Sequence, residues 1–318
     1  MKPKSNPQTS SLLEHRLRTS PRGVSPAGKQ AVSADAAKVE VWAPLIGFQW
    51  SGEQREIIDD TAIRPGSQYQ DYSDPAIASF ISKDEEMECR ETRHWLWFTQ
   101  PAQSPLSSGA NMNAFLFSLW IARPTPTYIR MRFHRSEAGD HAVVRVLDRF
   151  TWIGPQVVET VRDTDLELLE HILPATRRTY LETERLRNAL TLTVRGCTTA
   201  DWRVAFLSFT AAASHLLRHA GRASLARRVS TAYSVLMRGT GSEPDEFVVS
   251  PNQFEYLFRR GSEILEGRDH RGQSDAARNL DDLGHFSDAM RKIWRTVLES
   301  KEIATGLEGN DTERASFF

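Results

Sequence analysis

The 318 residues of this chain leave room for about two domains of ordinary size, so we expect neither a fragment nor a mini-protein. Hydrophobic residues make up 40% of the sequence and charged residues 25%, which excludes a wholly disordered or collagen-like chain. The formal net charge of −1 gives no overall attraction to nucleic acid or anionic lipid, so any such binding depends on a local patch.

The first segment, residues 1–38, is rich in Ser, Pro, Ala and Lys and predicts a flexible leader without a secretory signal. The apolar runs of the chain are shorter than the about 20 residues that a membrane helix needs, so we expect no membrane partner. Two cysteines, Cys89 and Cys197, are too few for a disulfide framework. These features predict a cytoplasmic protein.

Residues 39–160 show the short alternating patterns of β-strands, separated by Pro- and Gly-containing turns. The predicted strands are 41–46, 94–98, 114–122, 127–134 and 142–147. The strand at 114–122 is apolar on both faces and predicts a fully buried strand. Six of the eight tryptophans precede residue 160, which favours an aromatic sheet core over a ligand platform. We therefore predict a β-rich domain over 39–160.

Residues 161–300 have helical periodicity and predict an all-α bundle, giving an α+β protein. The predicted helices are a short one that opens at the 164–167 capping box and stops at Pro174, followed by 176–195, 202–217, 224–239, 252–266 and 274–299. Residues 301–318 lack periodicity and predict a flexible tail.

Common catalytic motifs are absent from the sequence: we find no Gly-rich phosphate loop, zinc-protease helix, Cys-x-x-Cys pair or Gly-x-Ser-x-Gly elbow. Side chains that bind metals cluster at His134, Glu137, Asp140 and His141, where a polar hairpin tip around Gly139 is favoured over a metal site. We therefore predict neither a metal nor a cofactor.

The most informative segment is the predicted fifth helix and its exit, Phe-Glu-Tyr-Leu-Phe-Arg-Arg-Gly-Ser-Glu-Ile-Leu-Glu-Gly at 254–267. It resembles the signature helix of the ApeA-like group in the HEPN superfamily, where a Tyr-x-x-Arg-Ser-x-Ile-Val-His-Gly run ends the helix. The helices at 204–217 and 225–237 resemble two others of that family. The motifs Trp42-Ala43-Pro44-Leu45 and Ile63-Arg64-Pro65 resemble its β-rich N-terminal domain. This resemblance implies metal-independent RNA cleavage by an Arg and a His that are separated by four to six intervening residues.

The chain departs from this family at the residues that carry the chemistry. Gly261 stands where the family has Arg, Glu266 where it has His, and Ser214 where it has a mid-bundle Glu. Arg260 keeps the spacing to Glu266, so the candidate catalytic residues are Arg260 for the phosphate and Glu266, or His270 just after the helix, as the base. Carboxylate is a poorer base than imidazole near pH 7 and repels the phosphate. A mid-helix glycine at 261 favours a close helix–helix approach or a kink.

Basic side chains surround the signature. The candidate nucleic-acid-binding residues are Arg259, Arg268, His270 and Arg271. A second basic cluster at the preceding helix junction comprises Arg218, His219, Arg222, Arg227 and Arg228. Because Arg outnumbers Lys throughout the chain, a solvated or dimer-facing surface is favoured over RNA contact, which stays open as the alternative.

Two hypotheses for function stay open. The resemblance implies a homodimer through the bundle and a role in prokaryotic conflict, such as phage defence by abortive infection or a toxin-like (toxin–antitoxin) ribonuclease. The first hypothesis is an RNA-directed, metal-independent endoribonuclease whose activity is weakened or lost. The second is a non-catalytic HEPN module that acts through a protein, RNA or nucleotide partner.

Overall fold

A computed structural model describes residues 38–69, 75–146, 160–182, 184–239, 249–268 and 276–318. An antiparallel sheet is followed in the chain by a layer of helices, which confirms the α+β class. The described residues belong to one unit that extends from residue 37 to residue 318. Residues 1–37 of the predicted leader lie outside the described residues, as do residues 147–159 next to the predicted boundary near 160.

Within the described residues, six strands form one antiparallel sheet in the order β2-β3-β4-β1-β5-β6. The strands are β1 (Lys38–Pro44), β2 (Arg55–Ile58), β3 (Thr61–Pro65), β4 (His94–Pro101), β5 (Met131–Ser136) and β6 (His141–Arg145). Four of the five predicted strands overlap β1, β4, β5 and β6. The hairpin of β2 and β3 follows no strict alternation and was not predicted, nor were the helices α1 (Pro75–Ala78) and α2 (Lys83–Glu91).

One face of the sheet is covered by packed aromatic rings. Trp42 stacks on Tyr69 with ring centroids 5.3 Å apart, and Tyr69 contacts Trp95 at 5.1 Å and Phe133 at 5.2 Å. These four rings are at most 6% exposed. The prediction of an aromatic sheet core is confirmed.

Residues 114–122 are helical, so the prediction of a strand there is wrong. They belong to α3 (Ser108–Ala122), whose N-cap Ser107 accepts a hydrogen bond from the backbone N–H of Ala110 at 3.2 Å. Asn111 Nδ2 in the first turn donates to Gln100 Oε1 of β4 at 2.8 Å. Most side chains of α3 are buried, and a helix that is apolar all round shows no amphipathic period. From the sequence alone, a nine-residue apolar run is therefore as compatible with a buried strand as with a buried helix.

Eight helices follow in the described part of the chain. They are α4 (Asp163–Glu182), α5 (Glu184–Thr198), α6 (Trp202–Leu217), α7 (Leu225–Gly239), α8 (Pro251–Leu265), α9 (Ala276–Glu299), α10 (Lys301–Glu308) and α11 (Asp311–Phe317). The predicted third to sixth helices are confirmed as α6, α7, α8 and α9.

The predicted helix stop at Pro174 is wrong, because α4 continues through this proline to Glu182. Leu169, Ile172 and Leu173 are fully buried just before it. An interior proline costs about 3 kcal/mol, and burial of this apolar face offsets that cost. The predicted helix 176–195 is consequently divided between α4 and α5.

The predicted flexible tail is also wrong, since residues 301–318 form α10 and α11. Leu307 of α10 and Arg314 of α11 are both 0% exposed. These helices were not predicted from the short local sequence patterns, because contacts with distant parts of the chain hold each of them in place.

The sheet and the helices share one hydrophobic core. A single cluster of buried side chains includes Val41 of β1, Phe117 of α3 and Trp294 of α9, and the last two rings lie 5.5 Å apart, edge to face. In the described part of the chain, no helix is long and apolar enough to cross a membrane.

Candidate nucleic-acid interface

Helix α8 contains the segment that resembles the HEPN signature, and its ends follow from local sequence. Ser250 Oγ accepts a hydrogen bond from the backbone N–H of Gln253 at 3.2 Å. Pro251 occupies the first turn, where its missing N–H costs nothing. The helix gives way to Gly267, whose φ of +68° is a left-handed conformation that glycine adopts readily.

Gly261 marks a close approach between α8 and α6. A Cβ atom built at position 261 lies 1.8 Å from Oγ1 of Thr210, a residue of α6. The interhelical space therefore has no room for a side chain here. The expected close approach is confirmed, and an arginine at this position of the family signature has no space in this packing.

Arg260 lies inside the bundle and is only 5% exposed. Its guanidinium donates hydrogen bonds to Asp282 Oδ2 and Asn279 Oδ1, both on α9. Its Cζ lies 5.7 Å from the ring centroid of Trp202 and 5.5 Å from that of Phe206, at cation–π distance. The positive charge of Arg260 is therefore neutralised within the fold.

Glu266 lies at the exposed C-terminal end of α8, and its carboxylate forms an ion pair with Arg268. Arg260 and Glu266 have different partners. Arg260 is buried in the bundle, whereas Glu266 is exposed to solvent. The structure does not bring these two predicted catalytic residues together.

The remaining predicted binding residues near the signature are partly neutralised or not described. Arg259 Nη2 lies 2.7 Å from Glu255 Oε1, and Arg227 Nη1 of α7 lies 3.2 Å from Glu255 Oε2. His270 and Arg271 lie outside the described residues.

A denser basic cluster surrounds Asp311, at the C-terminal end of α6. Asp311 Oδ1 accepts hydrogen bonds from Arg185 at 2.9 Å and Arg314 at 2.8 Å, and its Oδ2 accepts one from Arg218 Nε at 2.9 Å. Arg314 also donates to the carbonyl of Leu216 at 2.9 Å, in the last turn of α6, where a cation is favourable. Three guanidinium groups thus share one carboxylate, leaving an excess of positive charge.

The pKa values at this cluster reflect that excess. The hydrogen bond from Arg185, together with the charges of Arg218 and Arg314, holds the pKa of Asp311 below its usual range. Burial lowers the pKa of Arg314 to about 10. Burial, and then the charges of the three arginines, lower the pKa of His215, so this histidine is mainly neutral at pH 7.

Three arginines of the predicted junction cluster are exposed, and one of them, Arg227, is paired with Glu255 of α8. The side chain of Arg218 is 55% exposed, and Arg222 is exposed in the loop between α6 and α7. Arg228 instead donates to the carbonyls of His219 and Ala223, and His219 is buried. Arg218 and Arg222 therefore form the accessible basic surface, which we call the junction patch.

Sequence reasoning missed the partners that fix these arginines. Asp282 accepts hydrogen bonds from both Arg260 and, at 3.0 Å, the Tyr256 hydroxyl. The signal was the spacing of Asn279 and Asp282, three residues apart on the buried side of α9. Asp311 was missed because its segment was expected to be frayed.

The described residues contain no group of three or more His, Cys, Asp or Glu side chains arranged to hold a metal ion. At the hairpin considered above, His134 Nε2 accepts a hydrogen bond from Arg132 Nε at 3.1 Å.

Comparisons with known proteins return no match for this chain among protein-family models, curated proteins or solved structures.

Proposed function

We propose that this protein is an RNA-directed, HEPN-like protein of a prokaryotic conflict system, such as phage defence, and that it binds RNA without cleaving it. The resemblance of α8 to the HEPN signature supports the family. The buried ion pair of Arg260 with Asp282 is the observation that carries the loss of cleavage. As the resemblance implies, the protein is a cytoplasmic homodimer.

The position of Arg260 is incompatible with contact to a phosphate. Metal-independent cleavage requires a cation that reaches the phosphate as its charge develops. Exposing Arg260 would leave Asp282 unpaired in the bundle, and breaking a buried ion pair in this way costs about 3–5 kcal/mol. A phosphate group in solvent offers no comparable gain, so Arg260 acts as a structural cation.

The two neighbouring signature positions support the same conclusion. Position 261, where the family has its arginine, has no space for a side chain next to Thr210. Glu266 is already paired with Arg268 in solvent. Neither position supplies the cation or the base of the family's mechanism.

The junction patch is the better candidate for RNA contact. Arg218 and Arg222 are exposed, and the buried Arg314 and partly buried Arg185, both bonded to Asp311, add positive potential nearby. Guanidinium groups bind phosphates through paired hydrogen bonds, and such contacts give affinity without sequence preference. This patch therefore fits the sugar–phosphate backbone of RNA.

Binding is tested by fluorescence anisotropy of labelled total tRNA with the whole protein. We expect Arg218→Ala/Arg222→Ala to weaken binding about tenfold and to lower the slope of log affinity against log salt by about 2. The control is Arg187→Ala/Arg195→Ala, two exposed arginines of α5, which should leave binding unchanged. Absence of tRNA binding by the wild-type protein contradicts the RNA-directed function.

Cleavage is tested by incubating the same tRNA with excess protein in EDTA. We expect intact RNA. Cleavage by the wild type that disappears in Glu266→Gln contradicts the proposal, and this exposed substitution carries no folding risk. Sedimentation equilibrium of the protein alone should give twice the monomer mass, whereas a monomer refutes the proposed dimer.

A further inference from the structure

A cavity of about 790 Å³ lies away from the signature helix, bounded by α4, α5, α9 and α10. This volume lies within the range of about 300–1,000 Å³ that is typical of small-molecule sites. The proline inside α4 faces this cavity, and α10 turns back beside it after α9 ends at Glu299.

The floor of the cavity, which is the buried part of its lining, is mostly apolar. It is formed by Leu186, Val297 and Leu298, with Ala175 half-buried beside them. The buried Thr179 also lines the cavity, and its hydroxyl donates a hydrogen bond to the carbonyl of Ala175 at 3.0 Å. Leu186 and Val297 are almost fully buried and belong to the shared hydrophobic core. This floor offers a surface against which a hydrocarbon or ring can pack, and burial of such a group contributes about 25 cal/mol per Å².

The rim of the cavity carries basic groups. His171 and Arg178 of α4 and Lys301 of α10 line it, and all three are exposed. The structure gives these three side chains no hydrogen bond or ion pair with any described residue, unlike the arginines around Asp311.

The acidic groups of the rim do not cancel this charge. Glu299 is bound to Arg295 on its own helix, with Arg295 Nε 3.1 Å from Glu299 Oε1. Glu308 is the other carboxylate, and it opposes the two permanent cations Arg178 and Lys301. When Arg295, which neutralises Glu299 from outside the lining, is counted, Arg178 and Lys301 face one remaining carboxylate, so the surroundings of the apolar floor are net positive.

We propose that this cavity is a binding site for an organic anion with an apolar body. Arg178 and Lys301 hold the acidic group, which is a carboxylate or a phosphate monoester, since both are recognised by guanidinium and ammonium donors. The body of the ligand packs on the floor. This site is independent of the proposed RNA contact, which lies at the α6–α7 junction.

The experiment uses 8-anilinonaphthalene-1-sulfonate, an anionic probe with an aromatic body, in fluorescence titrations of the whole protein. We expect saturable binding to the wild type and at least tenfold weaker binding to Arg178→Glu/Lys301→Glu. The charge-matched control is Arg187→Glu/Arg195→Glu on α5, outside the cavity lining, which should bind the probe as the wild type does. Equal binding to both double variants overturns the proposal.

A second variant tests the cavity without changing charge. Ala304 of α10 is half-buried in the cavity wall, so the ring of Ala304→Phe should occupy part of the cavity and weaken probe binding at least tenfold. Thermal unfolding identifies any variant that has lost its fold. Unchanged binding to a folded Ala304→Phe protein overturns the placement of the site.

Displacement of the probe distinguishes the two sources of the anion. Competition by dodecanoate assigns an acyl carboxylate, and competition by AMP assigns a phosphate monoester. Failure of both to displace the probe overturns the ligand class.

Discussion

Gly261 sets the distance between α8 and α6, and the substitution Gly261→Ala tests this directly. A Cβ at this position lies 1.8 Å from Oγ1, 2.9 Å from Cβ and 3.1 Å from Cγ2 of Thr210. Thr210 Oγ1 also donates a hydrogen bond to the carbonyl of Phe206 at 2.9 Å. Either the threonine rotates and breaks this buried bond, or the two helices separate.

The magnitude follows from three contributions. An extra methyl group in a well-packed core costs about 1–3 kcal/mol. Loss of the hydrogen bond from Thr210 adds about 1 kcal/mol. The higher helix propensity of alanine offsets about 1 kcal/mol. We therefore expect Gly261→Ala to lower the free energy of unfolding by about 2 kcal/mol.

The assay is urea unfolding followed by far-ultraviolet circular dichroism. The matched control is Gly109→Ala in α3, where the new Cβ meets only Arg132 Nη1 at 3.4 Å, so stability should be unchanged or rise by up to about 1 kcal/mol. Combining Gly261→Ala with Thr210→Ala removes the closest atom and should recover at least about 0.5 kcal/mol as coupling energy. Equal stability of Gly261→Ala and Gly109→Ala refutes the close approach.

Three further predictions concern charge and burial. Asp282→Ala should lower the free energy of unfolding in urea by about 3–5 kcal/mol, because it leaves Arg260 charged and unpaired in the bundle, and a loss below about 1 kcal/mol contradicts the buried pair. The hydrogen bond from Arg145 lowers the pKa of Glu85 to about 2 from an ordinary value of 4.5. The stabilisation that ionised Glu85 contributes is therefore complete above about pH 4.5 and is lost as the pH falls toward 2. Over this range, the melting temperature should fall less steeply with pH for Glu85→Gln than for the wild type. Parallel profiles argue against this ion pair. Burial raises the pKa of Cys89 to about 12. This thiol should therefore not react with Ellman's reagent in the native protein at pH 8, but it should react in urea. Rapid labelling of native Cys89 is inconsistent with its burial.

The elements that could be predicted from the sequence are those whose signals are local. Helix α8 combines an N-cap serine and a first-turn proline with an amphipathic stripe, and its observed ends differ from the predicted ones by one residue. Strand β4 is predictable from its run of aromatic residues and its strand-like length. In both elements, the residues that decide the structure lie within the element itself.

Elements whose structure depends on contacts with distant residues could not be predicted from local sequence patterns. Helix α3 is buried on all sides, which removes the amphipathic period that distinguishes a helix from a buried strand. Helix α4 passes through Pro174 because its apolar residues pack against other helices. Helix α11 is fixed by Arg314, whose partners include a carbonyl 98 residues earlier in the chain.

In the candidate site too, some features follow from local sequence and others depend on contacts between distant helices. Arg260 was predicted to bind a phosphate, but it follows Leu257 by three residues and adjoins Gly261, and this helical spacing is the local signal that it belongs to the buried stripe of α8. Asp282 lies on a different helix, and its pairing with Arg260 requires knowledge of how α8 and α9 pack. A buried guanidinium must find its counter-ion inside the fold, because an unpaired charge there is far too costly. The arginine that best matches the family's spacing is thus buried and cannot contact RNA, and we expect phosphate contacts from arginines that the helical period leaves in solvent.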